Sequence, residues 1–147
     1  MSPCPCAVAV IQTVSDFKNL KVWRKAHSLA LNVHRAALGI RGAQFVSLRS
    51  QLTRAAFSIP TNIVEGNGQE SPQQFARFVR FSLNSTSELE YHLMAARDVR
   101  VMTATDFNSL NSQTVEVRKM LYGLLRHLDR SRLDPAAPKG RSAVTRP

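Results

Sequence analysis

Cysteine, acidic residues and long apolar runs are all scarce in this chain of 147 residues. Its two cysteines, Cys4 and Cys6, are too close together for an unstrained disulfide, and no further metal ligands lie near them. We therefore expect free thiols in a reducing compartment, the cytoplasm. No apolar run could span a membrane. Residues 7–11 are apolar but lack the basic flank and cleavage site of a signal peptide, so we expect none.

The scarcity of acidic residues leaves the chain strongly basic. It has 20 Lys and Arg against 10 Asp and Glu, a formal net charge of +10. Residues 1–130 hold 16 of the basic and 9 of the acidic residues, so the excess belongs to more than the C-terminal tail. Such a charge favours anionic partners, nucleic acid first and an acidic protein or membrane surface second. Solubility alone is the alternative explanation.

Strand-type alternation is nearly absent, whereas apolar residues recur at spacings of three and four, which is typical of amphipathic helices. We predict helices over about 20–38, 43–65, 72–98 and 105–129. Asn19, Ser71 and Thr105 are the predicted N-caps, and Pro72 suits the first helical position. Short connections between four such helices indicate an all-α, up-down-up-down four-helix bundle.

The bundle is predicted over residues 17–130. Residues 1–16 are interpreted as a flexible N-terminal extension. Residues 131–147 have no apolar period and are rich in Pro, Ser, Lys and Arg, so they are interpreted as a disordered basic tail.

The segment SIPTNIVEG, residues 58–66, breaks helix rules within the second helix. Pro60 cannot donate a backbone hydrogen bond and clashes with the carbonyl of Ala56, which predicts a kink. Asn62 falls on the apolar seam, and we expect it and Ser58 to bond to the freed carbonyls.

Glu65, in the same segment, opposes the helix dipole. We expect it to pair with Arg54, Arg77, Arg80 or the start of the third helix. The favoured interpretation is that the segment locks the fold, and a functional site is the alternative. The residues of this structural motif are Ser58, Pro60, Asn62, Glu65 and Gly66.

This segment carries a resemblance to a known family. The run QLTRAAFSIPTNIVEGNGQESPQQFARFV, residues 51–79, resembles the four helix bundle proteins, also called the 23S ribosomal RNA intervening-sequence proteins. FKNLKVWRKAHSLA (17–30), SELEYHL (87–93) and RKMLYGLLRHL (118–128) fit as well. The resemblance implies a bundle that assembles into rings, commonly pentamers, and it implies neither a reaction nor a cofactor. The accessory variability determinant of diversity-generating retroelements is distantly similar and implies nucleic acid and a reverse transcriptase as partners.

Catalytic and metal-binding patterns are weak. His27 and His34 lie seven residues apart, but no Cys, Asp or Glu joins them on that helix face. Glu88 and Glu90 point in different directions on a helix, and Glu88 is expected to pair with an arginine such as Arg54. We therefore expect no catalytic residue, no metal and no cofactor. An enzyme with an unrecognised site is the least favoured of three hypotheses.

Basic residues on helix faces are the better candidates for function. The first helix, the third and the fourth each present Lys or Arg that could neutralise phosphates. The candidate nucleic-acid-binding residues are Lys21, Arg24, Lys25, Arg35, Arg77, Arg80, Lys119, Arg126 and Arg130.

The leading hypothesis is a non-enzymatic oligomeric bundle that binds RNA or a nucleoprotein, such as a reverse transcriptase–RNA complex, through these surfaces. We expect a homo-oligomer because Phe81 and the small polar middle of the third helix suggest a further interface. No membrane partner is expected. The alternative is a protein–protein assembly scaffold that does not bind nucleic acid.

Overall fold

The computed structural model describes residues 16–133, which form an all-α structure of four helices. The helices are α1 (Lys21–Leu38), α2 (Val46–Asn67), α3 (Pro72–Asp98) and α4 (Ala104–Leu133). Short 3-10 turns at Phe17–Asn19 and Ala43–Phe45 precede α1 and α2. The predicted four-helix fold is confirmed.

Each helix packs on the next, and α1 also packs on α4, so the four helices close into a bundle. The centre is filled by side chains from every helix, among them the fully buried Leu29, Leu52, Leu89 and Leu121. The α2–α3 contact is the most extensive, and the α1–α4 contact is the least extensive of the four. Over residues 16–133, no helix is both long and apolar enough to cross a bilayer.

The start of α3 agrees with its predicted cap. The Ser71 hydroxyl accepts a hydrogen bond from the Gln74 amide at 3.2 Å, and Pro72 occupies the first helical position. This arrangement satisfies one of the amides that a helix leaves without a partner in its first turn.

Two other predicted caps are wrong. Thr105 lies inside α4, and the hydroxyl of Thr103 accepts from the Asp106 amide at 3.1 Å instead. Asn19 is taken up by the 3-10 turn, so Leu20 occupies the N-cap position of α1 without a side-chain cap. In both cases the cap stands one or two residues away from the predicted position, because the local backbone conformation decides which side chain reaches the free amides.

The helix boundaries differ from the predicted ones by a few residues. α2 begins at Val46 because residues 43–45 form a 3-10 turn, and α4 continues to Leu133, three residues past the predicted bundle end. The predictions for residues 1–15, including Cys4 and Cys6, and for residues 134–147 lie outside the described part of the chain.

The segment 58–66 links α2 to α3 by hydrogen bonds. Asn62 Nδ2 donates to the Ser58 carbonyl at 2.8 Å and lies 3.1 Å from Ser58 Oγ. Ser58 Oγ is 2.9 Å from Ser85 Oγ on α3, and the buried Ser82 hydroxyl donates to the Ile59 carbonyl at 2.9 Å. α2 runs helically through the buried Pro60, and the kink stays a prediction.

Asn62 is not on the core seam, which corrects the heptad assignment. It is half-buried at the edge of the α2–α3 contact, and Ile63 is fully buried in its place. A straight helix drifts by about 20° per heptad relative to a strict seven-residue repeat, so the seam has moved to the next residue by this point of α2.

Gly66 marks the closest approach of α2 to α3. A Cβ added there would lie 2.5 Å from Phe75 Cδ2 and 2.9 Å from Phe78 Cβ, which is closer than side chains pack. Gly66 and Glu65 both lie in the last turn of α2. Gly66 is buried, whereas Glu65 is exposed. Glycine is therefore required by the packing of α2 on α3, which supports the interpretation of the segment as a structural lock.

Two of the partners expected for Glu65 are engaged elsewhere. Arg80 Nη2 pairs with Asp129 Oδ1 at 3.4 Å, and the Arg77 guanidinium lies over the Phe81 ring at 5.6 Å. No ion pair within residues 16–133 joins either arginine to Glu65. The pairing of Glu65 with either arginine was therefore wrong.

Candidate nucleic-acid interface

Eight of the nine predicted basic residues lie in the same half of the bundle. This half, here called the basic half, is the end where α1 and α3 begin and α2 and α4 finish. It contains Lys21, Arg24, Lys25, Arg77, Arg80, Lys119, Arg126 and Arg130. Arg35 lies apart, near the end of α1, about 21 Å along the helix axis from Lys21 at a rise of 1.5 Å per residue.

Several of these cations are already engaged within the protein. Lys25 Nζ pairs with Glu116 Oε1 at 3.1 Å, and both side chains are half exposed. Arg35 Nη1 donates to Asn32 Oδ1 at 3.0 Å, and Asn32 Nδ2 in turn donates to Gln113 Oε1 at 2.9 Å. Like the pair of Arg80 with Asp129, the pair of Lys25 with Glu116 lowers the positive charge that is available to a ligand.

Of the eight cations of the basic half, six take part in no ion pair among the described residues; Arg77 of α3 is one of them, and the other five belong to α1 and α4. These five are Lys21, Arg24, Lys119, Arg126 and Arg130, all at least partly exposed. The Lys25–Glu116 pair joins α1 to α4 and so brings Lys21 and Arg24 to the level of Lys119. The five unpaired cations thus form one surface across the adjacent helices α1 and α4.

A second cationic feature, which the sequence did not predict, lies at the opposite end of the bundle. A groove of about 450 Å³, here called the α1–α2 groove, opens between these helices and is lined mainly by apolar atoms. His34, Leu38 and Phe57 line it, with Arg49 and Arg54. Arg49 Nη1 donates to the carbonyls of Ile40 at 2.9 Å and Gly42 at 3.0 Å. Arg49 and Arg54 are five residues apart, a spacing that does not place two residues on one helix face. Their positions in the sequence therefore did not indicate a shared site.

The aromatic residues at the start of α1 belong to the packing of the protein. The His27 ring stacks on Trp23 at 5.0 Å between centroids, and Trp23 meets Phe17 edge-on at 4.9 Å. Trp23 is half-buried and packs against the hydrophobic core. These rings therefore stabilise the helix start more than they present a stacking surface.

The acidic residues of α3 have partners that differ from the expected one. Glu88 Oε1 lies 3.7 Å from His92 Nε2, one turn along α3, so the pairing expected with Arg54 was wrong. Glu90 pairs with Arg118 of α4, whose Nε lies 3.4 Å from Thr86 Oγ1. Arg54 lies on the α1 side of α2, where it lines the groove. Within residues 16–133, no three His, Cys, Asp or Glu side chains cluster as metal ligands.

The fold is similar to that of a crystal structure of a protein of unknown function from the S23 ribosomal protein family of Bacteroides thetaiotaomicron. The TM-score is 0.67 and the sequence identity is 24%, over 71% of this chain and 98% of that chain. At this identity the likeness is evidence for the fold.

The sequence itself identifies the family. None of the curated proteins matches this chain significantly. The profile of the 23S rRNA-intervening sequence protein family matches residues 18–123, which is more than half of the chain and includes α1, α2, α3 and most of α4. The chain therefore belongs to the 23S rRNA-intervening sequence protein family.

Proposed function

We propose that this protein is a non-enzymatic helical bundle that binds RNA through its basic half. The observation that carries the proposal is the surface of five unpaired cations across α1 and α4. Ammonium and guanidinium groups on an open surface bind phosphates and supply neither a nucleophile nor a general base. The family's name, which refers to an intervening sequence of ribosomal RNA, is consistent with an RNA partner.

Binding would be electrostatic and nearly independent of sequence. Each phosphate that a Lys or Arg neutralises releases condensed counterions, so affinity falls with salt. Contacts to phosphate position the RNA without reading its bases. Free RNA and RNA within a nucleoprotein, such as a reverse transcriptase–RNA complex, present the same phosphates to this surface.

We also propose that the protein is a homo-oligomer, with a ring as its form. The outer face of α3 exposes Phe81 by 40%, Tyr91 by 66% and Met94 by 42%, and Tyr122 of the adjacent α4 is 48% exposed. Large apolar side chains exposed on two adjacent helices favour an interaction surface there. A ring would repeat the basic half around an axis and so multiply weak phosphate contacts. The same apolar face is what favours the second candidate function, a protein assembly scaffold.

Charge reversal tests the RNA-binding proposal. Arg24→Glu and Lys119→Glu, singly and together, should weaken binding to structured and single-stranded RNAs alike. Each variant should reduce the salt slope by about 0.7–0.9 for every phosphate that is no longer neutralised. Lys25 is unsuitable, because a carboxylate there would face Glu116. Melting temperatures should hardly change, since exposed charges contribute little to stability.

Arg100→Glu is the matched control, because Arg100 is exposed at the α3–α4 turn and its reversal changes the net charge equally. It should weaken binding less than Lys119→Glu does. If Arg100→Glu and Lys119→Glu had equal effects, the basic half would not be the site. If titrations at low salt showed no binding to any nucleic acid, the scaffold function would replace the proposal.

A further inference from the structure

We propose that the α1–α2 groove takes one unpaired base of a single-stranded RNA, so that the protein prefers unpaired RNA to duplex. This inference rests on the proposed RNA-binding function and adds a second contact at the opposite end of the bundle. The groove, at about 450 Å³, falls within the size range of small-molecule sites, about 300–1,000 Å³.

The walls of the groove suit a flat, aromatic ligand. The rings of His34 and Phe57 meet edge-on at 6.2 Å between centroids, and both are half-buried. Leu38, on the α1 side, is 68% exposed and offers an aliphatic surface beside the rings. Unpaired bases stack on such side chains without regard to sequence, because every base has a π-face.

The rim of the groove is cationic, which complements the phosphates on either side of an unpaired base. Arg49 and Arg54 line it, no Asp or Glu does, and the ion pairs of residues 16–133 include neither arginine. The two hydrogen bonds from Arg49 to the α1–α2 connection hold its side chain in place, so little entropy is lost on binding. Arg54 is exposed and its side chain can follow a phosphate.

A polynucleotide fits the distribution of charge better than a peptide does. The next cations along α1 are Arg35, one turn before Leu38 of the groove, and then Arg24 and Lys21, all of them exposed. A single strand could follow these cations with its phosphates and place a base in the groove, whereas a duplex could contact the cations but could not insert a base, because its bases are paired and stacked inside. The groove therefore distinguishes the two forms of RNA, and the basic half does not.

The test fills the groove without touching the core. Ser50 is exposed and lines the groove, so Ser50→Trp should occupy the space of the base. Ser47→Trp is the matched control, because Ser47 is also exposed, on the same helix, and lies outside the groove. The probes are a short single-stranded RNA carrying one 2-aminopurine and the same strand in a duplex. Affinity and 2-aminopurine fluorescence are measured for each.

Ser50→Trp should weaken single-stranded binding about fivefold or more, the loss expected for one stacked base, and abolish the fluorescence change. Duplex affinity should stay unchanged, and Ser47→Trp should behave as the parent protein. Arg54→Gln should weaken single-stranded binding more than Arg100→Gln, which removes the same charge elsewhere.

Three results would overturn the inference. The first is an equal effect of Ser50→Trp and Ser47→Trp on single-stranded RNA affinity, and the second is an equal loss of affinity for single-stranded and duplex RNA in Ser50→Trp. The third is an unchanged RNA affinity in Ser50→Trp together with the loss of binding to an acidic, leucine-containing peptide. The proposed function is judged separately. If the groove variants were inert while Arg24→Glu with Lys119→Glu still weakened both forms of RNA, the groove inference would fail and the proposed function would stand.

Discussion

Replacing Gly66 with alanine should destabilise the protein, although alanine is the better helix former. Gly66 lies in the last turn of α2, buried against α3. The added Cβ would lie 2.5 Å from Phe75 Cδ2 and 2.9 Å from Phe78 Cβ. The half-buried Phe75 ring can turn aside, but the Phe78 Cβ is attached directly to the α3 backbone. The two helices must therefore separate to admit the methyl group.

The two opposing effects can be compared in magnitude. Alanine gains at most about 0.5–1 kcal/mol over glycine in a helix interior, and less in a last turn. Overpacking of a well-packed contact costs about 1–3 kcal/mol. A net loss of roughly 1–2 kcal/mol follows, which would lower the melting temperature by roughly 3–8 °C in a chain of this size.

Gly123→Ala is the matched control, because it makes the same change in a helix where space is available. The nearest atom to a Cβ there is Arg126 Nη2 at 3.9 Å, an ordinary contact. This variant should gain up to about 1 kcal/mol from helix propensity. Thermal and urea unfolding of both variants give the difference. If Gly66→Ala were as stable as the parent protein, the close approach would not be a feature of the folded state.

Two further predictions concern the α3–α4 turn and the outer face of α3. Arg100 has φ 62°, and the Val101 amide bonds back to the Ala96 carbonyl at 3.0 Å, an arrangement that favours glycine at position 100. Arg100→Gly should therefore raise the unfolding free energy by about 1 kcal/mol in urea titrations, and a decrease would contradict the strain at this residue. Light scattering at micromolar concentration should give an oligomer that Tyr91→Glu dissociates. Val46→Glu, at a residue of α2 that is 54% exposed, should leave the oligomer intact, and a monomeric parent protein would refute the proposed oligomer.

The helices could be predicted from sequence because each has one clear apolar stripe. In α4, for example, the heptad positions Phe107, Leu110, Val117 and Leu128 are all buried, as the spacing requires. The start of α3 was predictable too, since Ser71 and Pro72 act through local geometry alone. Features within one turn of a helix are therefore readable from the sequence.

Features that depend on how two helices meet were not predictable. The second helix was predicted to end at residue 65, just before Gly66, whereas Gly66 lies inside α2 and contacts Phe75 and Phe78 of α3. The partners of Glu88 and Arg80 could not be assigned either, because the choice between candidates depends on the register of neighbouring helices. Small shifts in register decide which charges come within reach.

The candidate site likewise has some features that could be predicted from the sequence and others that could not. The basic faces of α1 and α4 were predictable, because apolar residues on one side of a helix leave the charged residues on the other. The pairing of Lys25 with Glu116 was not predictable, nor was the α1–α2 groove, which needs His34 of one helix and Phe57 of the next. Only the packed structure shows which of the basic residues remain available.

Two helix contacts differ in a way that favours the proposed phosphate-binding surface beside α1 and α4. The α2–α3 contact is close, with Gly66 against Phe75 and the buried Ser82 hydroxyl bonded to a backbone carbonyl. The α1–α4 contact is the least extensive of the four and is bridged by half-exposed polar pairs such as Lys25 with Glu116. Cations beside such an open contact are exposed, so a phosphate can approach them without the burial of a charge. The segment 58–66 therefore joins α2 to α3, and the proposed phosphate-binding surface lies beside the least extensive contact, on the far side of the bundle.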